Sequence, residues 1–264
     1  MNATAGTSRY RAIWISDVHL GTPGCRAELL LDFLACNDSE RLYLVGDIID
    51  GWRLRRTWYW PQAHNDVVRK LLRKARQGTK VVYVPGNHDE FARHYLGRRF
   101  GRVAVQGEAV HVAADGRRFL IVHGDAFDGA VKYARRLAPL GHWGYGAATT
   151  CNQLLNGARR RLGYSDWSLS AYLRRKVKHA VRYIAAYEAA MADVARARGF
   201  DGVICGHIHH PATREINGVL YCNDGDWLDS CSALVEHHDG RLEVIHWALY
   251  RQLSSCQPAL AVSA

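Results

Sequence analysis

Short apolar runs rich in β-branched residues recur along the chain at residues 11–16, 41–45, 80–84, 118–122 and 202–205, and again at 219–222 and 242–247. Runs of this length, followed closely by Gly or an acidic residue, predict buried strands. Helical spacing separates the first of them. Residues 26–36 place Leu29, Leu30, Phe33 and Leu34 on one face, and residues 65–77 do the same with Val67, Val68, Leu71 and Leu72, with Gly78 as a C-cap. Strands alternating with helices predict an α/β fold with a partly parallel sheet. The end of the chain differs, since residues 219–247 read as consecutive strands joined by Asp239-Gly240.

Residues 126–200 contain no convincing strand, and residues 168–198 read as one long helix, or two, closing at Gly199. This segment is expected to be a helical insertion within a single domain spanning residues 1–264, with a frayed tail after Ser254. Charge reinforces the division. Residues 126–200 carry thirteen Lys and Arg against four Asp and Glu, whereas the remainder carries 22 against 21. A charge run is usually a solvated face, but segregation on this scale suits an anionic partner such as phosphate, nucleic acid or a lipid surface.

At 264 residues, 48% hydrophobic and 23% charged, the chain can bury a large core. No apolar run is long enough to span a bilayer, and residues 1–11 lack a signal-peptide pattern, so a cytoplasmic protein is expected. Seven cysteines without a CxxC pair read as reduced thiols.

The chemistry lies in five polar clusters, one after each of the first five strand patterns: Asp17-Val18-His19, Gly46-Asp47-Ile48-Ile49-Asp50, Gly86-Asn87-His88-Asp89, His123-Gly124-Asp125 and Gly206-His207-Ile208-His209. A lone Asp-x-His after a strand reads as a turn with a surface histidine, and a lone Gly-Asn-His-Asp as a turn. Five at strand ends read as a ligand crevice, provided the strands share one sheet. Carboxylates and imidazoles without cysteine suit divalent Mn, Fe or Zn. Seven candidate ligands are too many for one tetrahedral ion and enough for two. Two ions about 3.5–4 Å apart can clamp a phosphoryl group and activate water.

In this order the motifs resemble those of the calcineurin-like metallophosphoesterase superfamily, over residues 17–209. The resemblance implies a four-layer α/β sandwich with a helical cap and two metal ions. It implies Asp17, His19, Asp47 and His209 on one ion, and Asp47, Asn87, His123 and His207 on the other, with Asp47 bridging. It makes His88 a catalytic histidine that is not a ligand, with Asp89 orienting its imidazole. Asp50 and Asp125 would support metal ligands from behind, and His210 would be a bystander.

Within the superfamily the chain is most similar to the UDP-2,3-diacylglucosamine hydrolases of lipid A biosynthesis. It shares Asp47 followed by Asp50 and Trp52, a proline (Pro211) after the last histidine motif, and a helical insertion between the last two motifs. It departs at His88, where the best-known branch carries Arg. The similarity implies Mn²⁺ as cofactor and release of UMP and 2,3-diacylglucosamine 1-phosphate from an amphiphilic substrate, on the cytoplasmic face of an inner membrane. Contacts to that substrate would come from Asn87, His88, Tyr133, Ser170, Lys176 and Lys178. Two alternatives remain open: another metal-dependent phosphodiesterase or nucleotide pyrophosphatase, including one acting on nucleic acid, and a scaffold without catalysis. The scaffold should have lost ligands, and this sequence has lost none.

Overall fold

The computed structural model describes residues 8–130 and 169–255, with the side chains of the long helix described from residue 180 on. Contacts divide the chain into two compact units, residues 1–125 with 191–264, and residues 126–190. The first unit holds both sheets and all five motif clusters.

β1 (Ser8–Ile15), α1 (Ala27–Cys36), β2 (Asn37–Val45), α2 (Gly51–Leu54), α3 (Gln62–Arg76) and β3 (Lys80–Val84) follow one another, and the three strands pair in parallel. β4 (Arg99–Phe100) and β5 (Val103–Val105) extend one side. β11 (Ser232–Glu236) and β12 (Leu242–His246) extend the other, giving the order β12-β11-β1-β2-β3-β5-β4. A second sheet, β6-β7-β8-β10-β9, is built from β6 (Ala109–Val112), β7 (Arg118–Ile121), β8 (Gly202–Cys205), β9 (Ala212–Ile216) and β10 (Val219–Asn223).

The period-2 alternation of the central strands explains the layering. Ile13, Ile15, Leu42 and Val235 face a core shared with Leu30 and Phe33 of α1, Val67 of α3 and Trp247 of α5 (Trp247–Ser255). Their neighbours Ala12, Trp14, Tyr43, Val45 and Leu234 face the second sheet, where Phe119, Ile121, Ile204 and Cys222 meet them. Behind the second sheet lie the buried Leu120 and Val203, and Met191, Ala192 and Ala195 near the end of α4 (Leu169–Ala197) are buried as well. Helix, sheet, sheet and helix make the four-layer sandwich.

Some elements depart from expectation. β2 begins four residues early because Asn37 to Ser39 pair with Ser8 to Tyr10, a pairing of polar residues that carries no apolar signal. α3 begins at Gln62 because Pro61, with φ −67°, takes the N-cap, and Leu72 lies on its exposed face. The run from 219 onwards crosses between sheets, with β10 in one and the β11–β12 hairpin in the other. The five motif-bearing strands likewise divide, β1, β2 and β3 in one sheet and β7 and β8 in the other. The clusters therefore meet through face-to-face stacking, not as neighbours in one sheet.

One buried polar network crosses the sheet interface. Glu236 on β11 sits 2.8 Å from Nε2 of His111 on β6 and 3.2 Å from Nε of Arg11 on β1. The other ring nitrogen of His111 meets the Tyr43 hydroxyl at 3.1 Å, and Ala114 N donates to Glu236 at 2.7 Å. Burial works against the Glu236 carboxylate, but these donors hold it below its usual range. Removing one member leaves buried partners unanswered, which costs about 3–5 kcal/mol. Glu236→Ala should lower the unfolding free energy by an amount of that order, and the thermal midpoint with it, while metal content per folded chain stays unchanged. Calorimetric melting alongside metal analysis checks both parts.

Candidate metal centre

Asp17, His19, Asp47, His207 and His209 all sit at positive φ, between 49° and 71°. Left-handed backbone is unfavourable for residues with a Cβ, and it persists where the surroundings enforce it, commonly at functional sites. Here the strand ends are locked to one another. Asp17 N donates to Gly46 O at 3.0 Å, His19 N to Asp47 O at 2.9 Å, and Trp227 N to Asp17 O at 3.1 Å. Two glycines are needed for space. A Cβ at Gly46, whose φ is +82°, would collide with the His123 ring, and one at Gly86 would collide with Asp47 Oδ1.

Both central carboxylates divide their oxygens between two tasks. Asp17 Oδ2 accepts from Ser16 Oγ at 2.6 Å and from His207 N at 2.8 Å, while Oδ1 lies 3.1 Å from His209 Nε2 and 3.8 Å from His19 Nε2. Asp47 Oδ1 accepts from His88 N at 2.8 Å. Its Oδ2 faces Nε2 of His123 at 3.4 Å, of His19 at 3.8 Å and of His88 at 4.0 Å. His123 uses Nδ1 on Val45 O at 2.8 Å, which turns Nε2 inward. Three sets of ligand atoms thus lie within 4.8 Å of one another: Asp17, His19 and His209; His19, Asp47 and His88; and Asp47, His123 and His207.

The donor set fits divalent cations. Among the described residues, Asp17 Oδ1, His19 Nε2, His123 Nε2 and both amide atoms of Asn87 are buried with no hydrogen-bond partner, and such groups call for a ligand. The electrostatics agree. Burial would push the Asp17 carboxyl up, but His209 and His19 hold it well below its usual range, and Asp47 is lowered against burial chiefly by His123. Burial would push the imidazoles down. Instead Asp17 and Asp50 lift His19 from 6.5 to about 10, and Asp47 lifts His123 to about 10. The site attracts positive charge strongly enough to hold protons where cations would sit.

Two expectations are corrected. Asp89 does not orient His88: its carboxylate accepts from Gly86 N at 2.6 Å, Ile48 N at 2.8 Å and the Tyr83 hydroxyl, so it pins one motif loop to the next. The group behind His88 is Asp50, whose Oδ1 lies 3.1 Å from His88 Nδ1 and whose Oδ2 lies 3.4 Å from His19 Nδ1. Asp50 also caps α2 by accepting from Arg53 N at 2.8 Å. Asp125 pairs with Arg93 at 2.7 Å and, among the described residues, touches no metal-ligand candidate. His210 is exposed. Tyr133 lies outside the described residues, and Ser170, Lys176 and Lys178 fall on the part of α4 where only the backbone is described.

Sequence reasoning missed Ser16 and Asp224. Ser16 Oγ lies 2.6 Å from both Asp17 Oδ2 and Asp224 Oδ1, and neither residue belongs to a motif. Trp52, noted only as a family feature, packs its ring 4.3 Å from that of His88.

Residues 10–211 match the family model of the calcineurin-like phosphoesterases, and the chain belongs to that family. Membership makes it a hydrolase of phosphoester bonds and implies divalent metal ions, for which the described residues offer candidate ligand clusters. Among curated relatives it is 25% identical over 242 residues to the UDP-2,3-diacylglucosamine hydrolase of Neisseria meningitidis serogroup B, covering 85% of this chain and 92% of that enzyme. The enzyme of the same name from Porphyromonas gingivalis is 26% identical over 125 residues, 44% of this chain and 47% of the relative. Among solved structures, the phosphoesterase Yfce from E. coli aligns over 89% of this chain and 98% of its own, with 14% identity and a TM-score of 0.41.

Two predictions follow from the geometry. Cations bind neutral imidazole, so loading must displace the protons on His19 and His123. Calorimetric titration with Mn²⁺ at pH 7 in buffers of different ionisation enthalpy should show release of on the order of two protons, with affinity rising with pH. In the metal-free protein, imidazoles raised from 6.5 to about 10 stabilise the fold fully below about 6.5 and lose that contribution as pH climbs towards 10. The midpoint of chelator-treated protein should accordingly fall across that window, and a midpoint that rises across it contradicts the assignment.

The second separates the two acids. Asp50→Asn should keep the fold and lower kcat by disturbing His88. Asp89→Asn should lower stability by about 1–3 kcal/mol through its three donors. The opposite pattern in kinetics and melting would restore Asp89 as the orienting group.

Proposed function

We propose that this enzyme hydrolyses UDP-2,3-diacylglucosamine to UMP and 2,3-diacylglucosamine 1-phosphate, using two Mn²⁺ ions. What supports the metal centre is the placement of Asp47 Oδ2 among the inward nitrogens of His19 and His123, with the unpartnered Asn87 amide as a further donor. Asp17, His19, Asp47 and His209 would hold one ion and Asp47, Asn87, His123 and His207 the other. Bound there, the ions would supply Lewis acidity towards phosphoryl oxygens and lower the pKa of a water.

The chain's own residues do the rest. Asp17 and Asp47 keep one oxygen each on backbone N–H groups, so their positions are set before substrate arrives. His88, half-buried beside Asp47 and backed by Asp50, holds a proton on Nε2 and gives it to the leaving oxygen. Asp50 fixes the ring plane and balances the charge of that proton. Trp52 covers one face of the ring and limits its rotation.

The substrate reading rests on the relatives that span most of the chain and on the basic and apolar composition of residues 126–200. That mixture suits a diacylated pyrophosphate. A second reading, a soluble-nucleotide pyrophosphatase or phosphodiesterase, draws support from His88, the residue that departs from the best-known lipid-specific branch.

A hydrolysis panel with Mn²⁺ decides between them. UDP-diacylglucosamine should show the highest kcat/KM, ahead of UDP-sugars, cyclic dinucleotides and bis(p-nitrophenyl) phosphate. Equal or faster turnover of a soluble nucleotide would overturn the lipid reading. On whichever substrate is best, His88→Ala should retain both metals and lose about 10²–10⁴-fold in kcat.

A further inference from the structure

Ser16 Oγ stands among three oxygens, 2.6 Å from Asp17 Oδ2, 2.6 Å from Asp224 Oδ1 and 3.0 Å from Gly225 O. A serine hydroxyl has one hydrogen to give and two lone pairs with which to accept. The two shorter contacts have the length of hydrogen bonds made by charged oxygens, and each needs a hydrogen between its atoms. Ser16 can supply only one of them. Asp17 must be ionised to bind a cation, and the same Oδ2 already accepts from His207 N at 2.8 Å, so Asp17 is the acceptor. The second hydrogen therefore belongs to Asp224, which donates to Ser16 while Ser16 donates to Asp17. Gly225 O, at the longer distance, takes at most a minor share of the serine hydrogen.

The surroundings of Asp224 agree. The residue is fully buried, and its Oδ2 has no hydrogen-bond partner among the described residues. An ionised carboxylate would leave charge on that oxygen unanswered away from water, whereas the carbonyl oxygen of a neutral acid costs far less. The backbone around it is clamped. Asp224 N donates to Cys205 O at 3.2 Å, Ser232 Oγ donates to Asp224 O at 2.9 Å, and the Asn223 amide donates to Gly206 O at 2.7 Å. Gly206 leaves the necessary room, since a Cβ there would collide with Ser16 Oγ and Asp17 Oδ2.

We propose that Asp224 is a positioning residue for the metal centre: its carboxyl hydrogen fixes the Ser16 hydroxyl, which in turn fixes Asp17. With Oδ2 held by both His207 N and Ser16, the plane of the Asp17 carboxylate is set, and Oδ1 is aimed at Nε2 of His209 and of His19. A hydroxyl that accepts one hydrogen bond donates the next more strongly, so the chain of two favours the ionised, cation-binding form of Asp17. Asp47 is held differently, with Oδ1 on His88 N. The effect falls on the ion of Asp17, His19 and His209 and spares the ion of Asn87, His123 and His207. A mere stitch between the ends of β1 and β10 would show in stability and not in metal affinity.

The inference rests on the two-ion reading of the centre and holds whichever phosphoester is cleaved. Calorimetric titration of the metal-free full chain with Mn²⁺ tests it, beside melting of the same samples. Wild type should bind two ions. Ser16→Ala and Asp224→Leu should each weaken one of them by about 10–100-fold and leave the other near its wild-type affinity. Because Asp224 acts through Ser16, the double variant should bind no more weakly than Ser16→Ala alone. Asp224→Asn, whose amide can still donate to Ser16, should bind close to wild type. The infrared C=O stretch of a neutral carboxylic acid should be present in the wild type and disappear in that variant. Should the leucine prevent folding, the Ser16→Ala titration and the infrared band decide alone. Unchanged affinity for both ions with a lowered midpoint overturns the inference. So do additive losses in the double variant, an asparagine variant as weak as the leucine one, or a missing infrared band. Fewer than two ions on the wild type would instead sink the two-ion reading itself, and this inference with it.

Discussion

The structure turns on two carboxylates, those of Asp17 and Asp47, held almost entirely away from water at the ends of adjacent parallel strands. Buried negative charge persists only when it is hydrogen-bonded and paired. Each acid meets that demand in the same way. One oxygen is held by backbone N–H, with a hydroxyl added at Asp17, and the other is turned towards a ring of imidazoles. The left-handed turns at Asp17, His19, Asp47, His207 and His209 follow from that demand. They bring the backbone donors of one loop to the acid of the next, and the dense bonding between loops sustains the local strain.

The need to gather ligands from two sheets explains the layering around the centre. Neither sheet alone supplies a complete set, since the carboxylates and Asn87 come from the first and His123, His207 and His209 from the second. Stacking with the C-terminal ends of both sheets at the same edge brings the halves together. Trp14 stacked on Tyr43, and Glu236 with His111, tie the sheets to each other through the interior. The rigidity of the metal centre therefore depends on packing between the sheets as well as on the loops themselves.

Acids that look alike in the motifs do different work. Asp89 is fully buried and bonded to three donors, so it fixes the loops; burial raises its carboxyl even though the Tyr83 hydroxyl opposes the shift. Asp50 sits nearer solvent at a helix N-terminus, between His19 and His88, and can answer a change of charge on either ring. The same helix leads into an exposed turn that carries Arg55, Arg56 and Trp58.

The sequence by itself determined the central strands, the helices between them and the order of the motifs, because apolar periodicity and closely spaced Asp, Asn and His residues are local signals. It also carried the family. It did not carry the division of strands between two sheets, since a buried strand reads alike in either one. It did not carry β2's polar first half, whose pairing with β1 depends on backbone register. Nor could spacing tell which acid stands behind His88: Asp89 is its neighbour in the chain, but the loop turns that carboxylate towards Gly86, Ile48 and Tyr83. Ser16 and Asp224 meet across 208 positions and leave no trace in any motif. These choices belong to tertiary structure, where the burial of one charge selects its partners by distance in space and not by distance along the chain.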